Sequence, residues 1–162
     1  MKIGIISDTH IPINSRELSA DLLDALKGCD LILHAGDLIE LSPLESLRKI
    51  SKVEAVWGNM DRPKVKALLD DKKILKVGGK KLCLVHGHGR PDNLIKTLKE
   101  ELFELKPDII VFGHSHVPMN EYIDGVLFFN PGSATDTVFA PYRTYGIIEI
   151  QKGSINATIH RL

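Results

Sequence analysis

Short apolar runs alternate with amphipathic stretches along the first third of the chain. The runs predict strands over 2–6, 31–34 and 53–57, and the stretches between them predict helices over about 16–27 and 43–50. In the first of these helices, leucines recur at helical spacing and a glycine follows as the expected C-cap. Strands that alternate with helices are typical of an α/β fold built on a parallel sheet.

The second half of the chain is richer in strands. Gly78-Gly79 and Asp124-Gly125 each separate two apolar runs and predict tight hairpins, and an amphipathic helix is predicted between Leu94 and Leu105. Two more strands are predicted over 145–150 and 155–160, the last with the apolar-polar alternation of a half-exposed strand. These elements predict a second, more antiparallel sheet packed on the first.

Composition narrows the class of protein. The chain has 162 residues, about the length of one domain, so a single domain over 1–162 is expected. Its 21 basic and 21 acidic residues give a formal net charge of zero, which argues against a nucleic-acid or membrane-surface binder. No apolar stretch approaches the roughly 20 residues of a bilayer span, and the first apolar run breaks into Ser7-Asp8 too soon for a signal peptide. We therefore expect a cytoplasmic protein with no membrane partner.

Side chains that commonly bind metals follow five of the predicted strands. Because the carboxyl ends of strands in an open α/β sheet meet at one crevice, these side chains should converge. Their carboxylate oxygens, amide oxygen and imidazole nitrogens are enough to hold two divalent ions that share a bridging carboxylate. Each cluster alone is a weak signal, since an isolated histidine is usually a core or surface residue. Together they predict a dinuclear metal site near the clusters, which contain Asp8, His10, Asp37, Asn59, Asp61, His86, His88, His114 and His116.

The clusters, in this order, resemble the calcineurin-like metallophosphoesterase superfamily over essentially the whole chain. The matching motifs are Asp8-Thr9-His10, Gly36-Asp37, Gly58-Asn59-Met60-Asp61, His86-Gly87-His88 and Gly113-His114-Ser115-His116. The short length, the His-Gly-His motif and the turn at 130–133 are similar to the small YfcE-type phosphodiesterases, and the metallophosphoesterase-fold subunit of retromer is a structural cousin. The resemblance implies the metallo-dependent phosphatase fold, a four-layer α-β-β-α sandwich of two mixed sheets.

The resemblance also implies which residues bind the ions. The first ion would be held by Asp8, His10 and His116, the second by Asn59, His86 and His114, with Asp37 bridging the two. A hydroxide that bridges the ions would attack phosphorus in line, while the ions offset the developing charge. Oxygen and imidazole ligands accept several metals, so we expect two divalent ions, with Mn²⁺ as the first choice and Ni²⁺, Co²⁺, Fe²⁺ or Zn²⁺ as alternatives.

The main departure from the family pattern is Met60, which stands where many members place a histidine thought to protonate the leaving group. A thioether cannot donate a proton, so the enzyme should favour esters with good leaving groups unless another side chain supplies the acid. His88 is the nearest substitute and hence a candidate catalytic residue, with a structural role as the alternative. Arg90 is a candidate for binding the substrate phosphate, with simple solvent exposure as the alternative.

Two further polar residues near the ligand motifs are expected to support the site. Asp61 should hydrogen-bond a ligand or the local turn, because Asn59 already supplies the ligand of its motif. His34 leaves the end of its strand close to Asp37, and we favour a structural role for it.

The features together predict a metal-dependent phosphodiesterase that hydrolyses small phosphodiesters. A phosphomonoesterase is the enzymatic alternative, and a non-catalytic protein-interaction scaffold of the retromer-subunit type is the other. The complete ligand set favours catalysis, and the neutral charge argues against a nuclease. The family resemblance also makes a homodimer or homotetramer a reasonable expectation.

Overall fold

Ten strands in two five-stranded sheets form the centre of the computed structural model, which describes residues 1–162. In chain order the strands are β1 (Lys2–Ile6), β2 (Leu31–His34), β3 (Val53–Ala55), β4 (Lys72–Val77), β5 (Lys80–Val85), β6 (Ile109–Val111), β7 (Met119–Ile123), β8 (Val126–Asn130), β9 (Thr144–Gln151) and β10 (Ser154–Arg161). The helices are α1 (Ala20–Leu26), α2 (Ser42–Arg48), α3 (Pro63–Lys66) and α4 (Leu94–Leu102).

Both sheets are mixed. The first has the strand order β10-β9-β1-β2-β3, and the second has the order β4-β5-β6-β8-β7. In the first sheet β1, β2 and β3 are parallel, while β9 runs antiparallel to both of its neighbours. In the second sheet β5, β6 and β8 are parallel, while β4 and β7 are antiparallel edge strands. The predicted fold class is confirmed.

One prediction about the sheets is wrong. The second sheet is not the more antiparallel of the two, because each contains two parallel and two antiparallel pairings, and the last two strands belong to the first sheet. The reason lies in β9, whose Ile147 packs on the helical side of its sheet while Ile148 packs between the sheets. A strand that is apolar on both faces takes an interior position, here between β1 and β10. The alternation predicted for β10 is confirmed.

Three apolar clusters separate the four layers. Ile5 of the first sheet and Leu84 of the second belong to the cluster between the sheets. Leu22 of α1 and Leu44 of α2 belong to the cluster on the outer face of the first sheet. Leu98 of α4 belongs to the cluster on the outer face of the second sheet. The helices therefore cover the sandwich from outside and leave the strand ends free to carry the polar clusters.

The first two helices are shorter than the hydrophobic spacing predicts. The Ser19 side chain accepts a hydrogen bond from the Leu22 N–H and caps α1, so the helix begins at Ala20 and not near residue 16. Gly28 has a positive φ of 79° just after the helix and fits the predicted C-cap. The short helix α3 was not predicted from the sequence. None of the helices combines the length and the apolar character that crossing a membrane would require.

Candidate metal centre

The loops that follow β1, β2, β3, β5 and β6 lie together at one edge of the sandwich. The backbone joins several of them directly, through hydrogen bonds from Asp8 N to Gly36 O (3.0 Å), His10 N to Asp37 O (2.9 Å) and Gly113 N to His86 O (3.0 Å). Parallel strands bring their carboxyl ends to the same edge, and the two facing sheets place two such edges side by side. The polar side chains after these strands consequently converge.

One group of ligand atoms comes from the ends of β1 and β6. The donor atoms of Asp8, His10 and His116 all lie within 4.8 Å of one another. His10 Nε2 and His116 Nε2 are 3.2 Å apart, and His116 Nε2 lies 3.4 Å from Asp8 Oδ1. The structure thus brings together the three residues predicted for the first ion.

A second group comes from the ends of β3, β5 and β6. Asn59 Oδ1 lies 3.1 Å from His86 Nε2 and 3.0 Å from His114 Nδ1. The other nitrogen of each ring faces a backbone carbonyl, His86 Nδ1 at 2.8 Å from Ala35 O and His114 Nε2 at 2.8 Å from Gly89 O. A carbonyl can only accept a hydrogen bond, so in the neutral ring it favours the proton on that nitrogen and leaves the inward-facing nitrogen with its lone pair.

Asp37 lies between the two groups. Its Oδ2 is 3.6 Å from His10 Nε2 and 3.3 Å from His86 Nε2, so one oxygen faces a residue of each group. Its Oδ1 accepts a hydrogen bond of 2.7 Å from the Met60 N–H. Asp8 also falls within 4.8 Å of Asp37 and His86, but its Oδ2 accepts hydrogen bonds from the Ser7 hydroxyl and the His114 N–H. The position of Asp37 is the better one for a bridge.

The donor set has the chemistry that divalent cations bind. All the donors are oxygen or imidazole nitrogen, and Asp8 and Asp37 are buried, with exposures of 0% and 2%. Histidines are the only basic side chains within 4 Å of these two carboxylates, so no lysine or arginine neutralises them. The contacts of 3.0 to 3.6 Å are close to the roughly 3 to 3.5 Å that separates two ligand atoms each about 2.1 Å from one ion.

In the absence of metal, the surroundings shift the pKa values of the site residues in different directions. Burial raises the pKa of Asp37, but hydrogen bonds from His86 and the Met60 N–H outweigh it and hold the pKa below its usual value. Burial lowers the pKa of His10 more than the neighbouring carboxylates raise it. For His116 burial acts in the same direction, but its carboxylate partners raise the pKa to about 9. A cation that binds His116 near neutral pH must therefore displace a proton from its ring.

The backbone adopts uncommon conformations at the same positions. Five of the nine non-glycine residues with positive φ are predicted ligands: Asp8 (52°), His10 (44°), Asp37 (58°), His114 (70°) and His116 (57°). Left-handed conformations are rare for residues with a side chain and concentrate at functional sites. Here these conformations turn the backbone sharply after each strand, so that the side chains of these residues point inward.

Comparison with known proteins identifies the family. A model of the calcineurin-like phosphoesterase superfamily domain matches residues 1–153. This chain belongs to that superfamily. A probable metallophosphoesterase of Methanothermobacter thermautotrophicus is 36% identical over 135 residues, which cover 83% of this chain and 78% of the relative. Phosphodiesterase YfcE of Escherichia coli is 28% identical over an alignment 170 residues long, which covers 92% of this chain and 88% of the relative.

Solved structures agree with this membership. Vps29 of Entamoeba histolytica, complexed with Zn²⁺, matches with a TM-score of 0.78 and 26% identity over 99% of each chain. The family and the enzyme class, a metallophosphoesterase, are as predicted.

Asp61 of this phosphoesterase holds two strand-end loops together. It is buried, and its carboxylate accepts hydrogen bonds from Asp37 N (3.0 Å), Ile39 N (2.6 Å) and Gly58 N (2.7 Å). A Cβ added at Gly58 would lie 2.2 Å from Asp37 Oδ1, so glycine is needed for the two loops to approach. Asp61 thereby contacts the turn, one of the two roles expected for it.

The structure places the other candidate residues of the phosphoesterase at the rim of the site. His88 is exposed, and its Nε2 lies 2.6 Å from Glu101 Oε1, although it lines the same cavity of about 500 Å³ as Asn59 and His86. Arg90 is exposed and forms an ion pair with Asp92 at 3.0 Å. The Met60 side chain is 53% exposed beside Asn59.

His34 is fully buried inside the sandwich. Its Nε2 lies 3.0 Å from Thr9 Oγ1, and its Nδ1 accepts a hydrogen bond of 3.2 Å from the Gly36 N–H. Burial lowers its pKa to about 3, so the ring is neutral. These contacts hold the loops that carry Asp8 and Asp37, in keeping with a structural role.

One residue beside the site was missed by sequence reasoning. Asp136 is 2% exposed, and its Oδ2 contacts His116 Nδ1. It follows the predicted turn at 130–133, in which the Ser133 hydroxyl donates to Asp8 O at 2.7 Å and accepts from the Asp136 N–H at 3.0 Å. No spacing in the sequence links Asp136 to His116, because the contact depends on the path of the loop after β8.

Proposed function

We propose that this phosphoesterase hydrolyses small phosphodiesters at a dinuclear metal centre. Asp8, His10 and His116 would hold one ion, Asn59, His86 and His114 would hold the other, and Asp37 would contact both. The proposal rests on Asp37 Oδ2, which lies 3.6 Å from a ring nitrogen of one group and 3.3 Å from a ring nitrogen of the other. Two divalent ions would supply a nucleophilic water and offset charge developing on the phosphoryl oxygens.

The residues of the chain prepare the site for such ions. The backbone carbonyls of Ala35 and Gly89 hold the outward-facing N–H groups of His86 and His114, so that the inward-facing nitrogen of each neutral ring can bind an ion. The hydrogen bond from the Met60 N–H helps to keep Asp37 ionised. Both effects present lone pairs and negative charge toward the same small volume.

A small diester is the substrate class that these residues favour. The Met60 side chain has no proton to give to a departing alcohol, so esters whose leaving group departs unassisted should react best. The relative YfcE is named a phosphodiesterase, which supports the same class. We propose Mn²⁺ as the first ion to test, because the mixed oxygen and nitrogen donors contain no thiolate that would favour a softer metal.

The test compares two chromogenic esters. Metal-stripped protein reloaded with Mn²⁺ should hydrolyse bis(p-nitrophenyl) phosphate faster than p-nitrophenyl phosphate. Asp37→Asn keeps the shape of the side chain but removes its charge, and it should abolish both activities. Asp124→Asn removes one charge at the turn between β7 and β8, where Asp124 pairs with Lys99, and should leave them unchanged.

The outcomes separate the alternatives. Faster cleavage of the monoester would indicate a phosphomonoesterase. Bound ions without turnover of either ester, repeated with Ni²⁺, Co²⁺, Fe²⁺ and Zn²⁺, would favour a protein-interaction scaffold. That second function has some support from the likeness to Vps29 and from two exposed apolar side chains near the site, Val138 at 78% and Phe139 at 81%.

Three coarser expectations accompany the proposal. Residues 1–162 should behave as one domain with a single unfolding transition. The protein should be cytoplasmic, and it should form a homodimer or homotetramer, which light scattering coupled to size-exclusion chromatography would measure directly.

A further inference from the structure

Asp136 is the one buried carboxylate at the centre that is neither a predicted ligand nor a part of the strand-end motifs. Its two oxygens have separate partners. Oδ2 contacts His116 Nδ1, while Oδ1 accepts hydrogen bonds from Val138 N (2.7 Å) and Phe139 N (3.1 Å). One side chain therefore organises a loop and also fixes the ring of a predicted metal ligand.

The contact determines which nitrogen of His116 is available. A carboxylate accepts hydrogen bonds and so stabilises a proton on Nδ1. Nε2 is then left to face Asp8 Oδ1 at 3.4 Å and His10 Nε2 at 3.2 Å. A histidine held in this way by a carboxylate is both oriented and made a stronger ligand.

Asp136 is also tied to a second ligand of the same group. Its N–H donates to the Ser133 hydroxyl at 3.0 Å, and that hydroxyl donates to the backbone oxygen of Asp8 at 2.7 Å. No hydrogen bond links Asp136 to Asn59, His86 or His114. The side chains of these three residues contact backbone carbonyls, Asp37 and one another.

We propose that Asp136 is a positioning residue for one ion only, the ion held by Asp8, His10 and His116. The inference rests on the proposed dinuclear site. Removing the carboxylate should lower the affinity for that ion by about 10- to 100-fold, the usual effect of removing the hydrogen-bond partner of a metal ligand. Binding of the ion held by Asn59, His86 and His114 should be weakened less, because Asp136 contacts none of these three side chains.

Two substitutions separate the ring contact from the loop contact. In Asp136→Asn the amide oxygen can still accept from Val138 N and Phe139 N, but the NH₂ group faces His116 Nδ1 and favours the tautomer with the proton on Nε2. Asp136→Ala loses both contacts. If the ring contact matters, the two variants should be impaired alike; if only loop order matters, the Asn variant should resemble the wild type.

The experiment is a calorimetric titration of metal-stripped protein with Mn²⁺. The wild type, Asp136→Asn, Asp136→Ala, His10→Ala and the charge control Asp124→Asn are compared after circular dichroism has shown that each is folded. We expect the binding step weakened by Asp136→Asn to be the step weakened by His10→Ala. Long-range ¹H–¹⁵N spectra of the wild type at subsaturating Zn²⁺ should show His116 coordinated through Nε2 with its proton on Nδ1, and Asp136→Asn at the same Zn²⁺ concentration should show less of this signature.

Each alternative result is decisive. Unchanged affinities in Asp136→Asn, or equal weakening of both steps, would overturn the inference. A wild type that binds fewer than two ions would contradict the proposed dinuclear function. If the wild type binds a single ion, a lower affinity for that ion in Asp136→Asn would still support the role of Asp136, and an unchanged affinity would refute it. If the wild type binds no ion, both proposals would fail.

Discussion

Single residues control how closely the two strand-end loops around Asp37 approach. Gly58 is the clearest case, because a Cβ there would lie 2.2 Å from Asp37 Oδ1 and 2.7 Å from the Asp37 N atom. The φ of Gly58 is not in the left-handed region, so the lack of a side chain, rather than backbone freedom, is what the position requires.

We therefore expect Gly58→Ala to displace Asp37 and to weaken Mn²⁺ binding by about 10-fold or more. Gly125→Ala is the control, since its Cβ would meet nothing within 4 Å while its φ of 80° still strains the backbone. Calorimetric titration of both variants checks the prediction. Equal loss of affinity in the two would show that general strain, and not the contact with Asp37, is responsible.

Met60 offers a second prediction at this scale. Its backbone N–H donates to Asp37 Oδ1, and the residue is 53% exposed beside the proposed ligand Asn59. Met60→His would place a proton donor there, and we expect faster hydrolysis of esters with poor leaving groups, by up to about 100-fold. The rate ratio of phenyl to p-nitrophenyl diesters measures this. A variant that changes both rates by the same factor would contradict the assigned position.

The loops between elements are joined by buried hydrogen bonds. Asp61, after β3, accepts from the backbone of Asp37 and Ile39 after β2 and from Gly58 in its own turn. An unsatisfied buried donor costs about 1 to 3 kcal/mol. Loss of the Asp61 carboxylate should therefore destabilise the contact between the loops that follow β2 and β3.

We expect Asp61→Ala to lower the free energy of unfolding by about 3 kcal/mol or more, because three backbone N–H groups lose their acceptor. Urea unfolding of the metal-stripped protein measures it. Asp71→Ala, at an exposed aspartate ten residues along the chain, should change it by less than about 0.5 kcal/mol. A loss for Asp61→Ala as small as that of the control would rule out the assigned role.

The local sequence pattern predicts secondary-structure elements and their ends better than it predicts which elements or side chains contact one another. Helix α4, the hairpins β4-β5 and β7-β8, and the strands β9 and β10 lie where periodicity and turn residues predict them. The sheet to which β9 belongs was predicted wrongly, because an apolar run records burial but not which neighbour supplies it. Asp136 was missed for the same reason, since its contact with His116 depends on a loop path that no local spacing encodes.

The stability of the whole molecule should depend on pH through its histidines. In the metal-free protein, the pKa of His116 is raised from its ordinary 6.5 to about 9. A raised pKa in the folded state means that folding favours the protonated ring, so this stabilisation is complete below pH 6.5 and is lost as pH rises through about 9.

We therefore expect the metal-free protein to lose stability between about pH 6.5 and pH 9. Metal binding should show the opposite slope, becoming tighter as pH rises because protons must leave the imidazoles first. Urea unfolding across this range, with and without Mn²⁺, measures both slopes. His116→Asn should flatten the slope of the metal-free protein, and an unchanged slope would assign the effect to another group.

The central claim is that side chains from five strand ends hold two ions that share Asp37. Anomalous diffraction from Mn²⁺-loaded crystals, collected at the manganese edge, tests it most directly. The account predicts two peaks about 3.5 to 4 Å apart, one among Asp8, His10 and His116, the other among Asn59, His86 and His114, and both in contact with Asp37. A single peak, or a second one outside these residues, would contradict it.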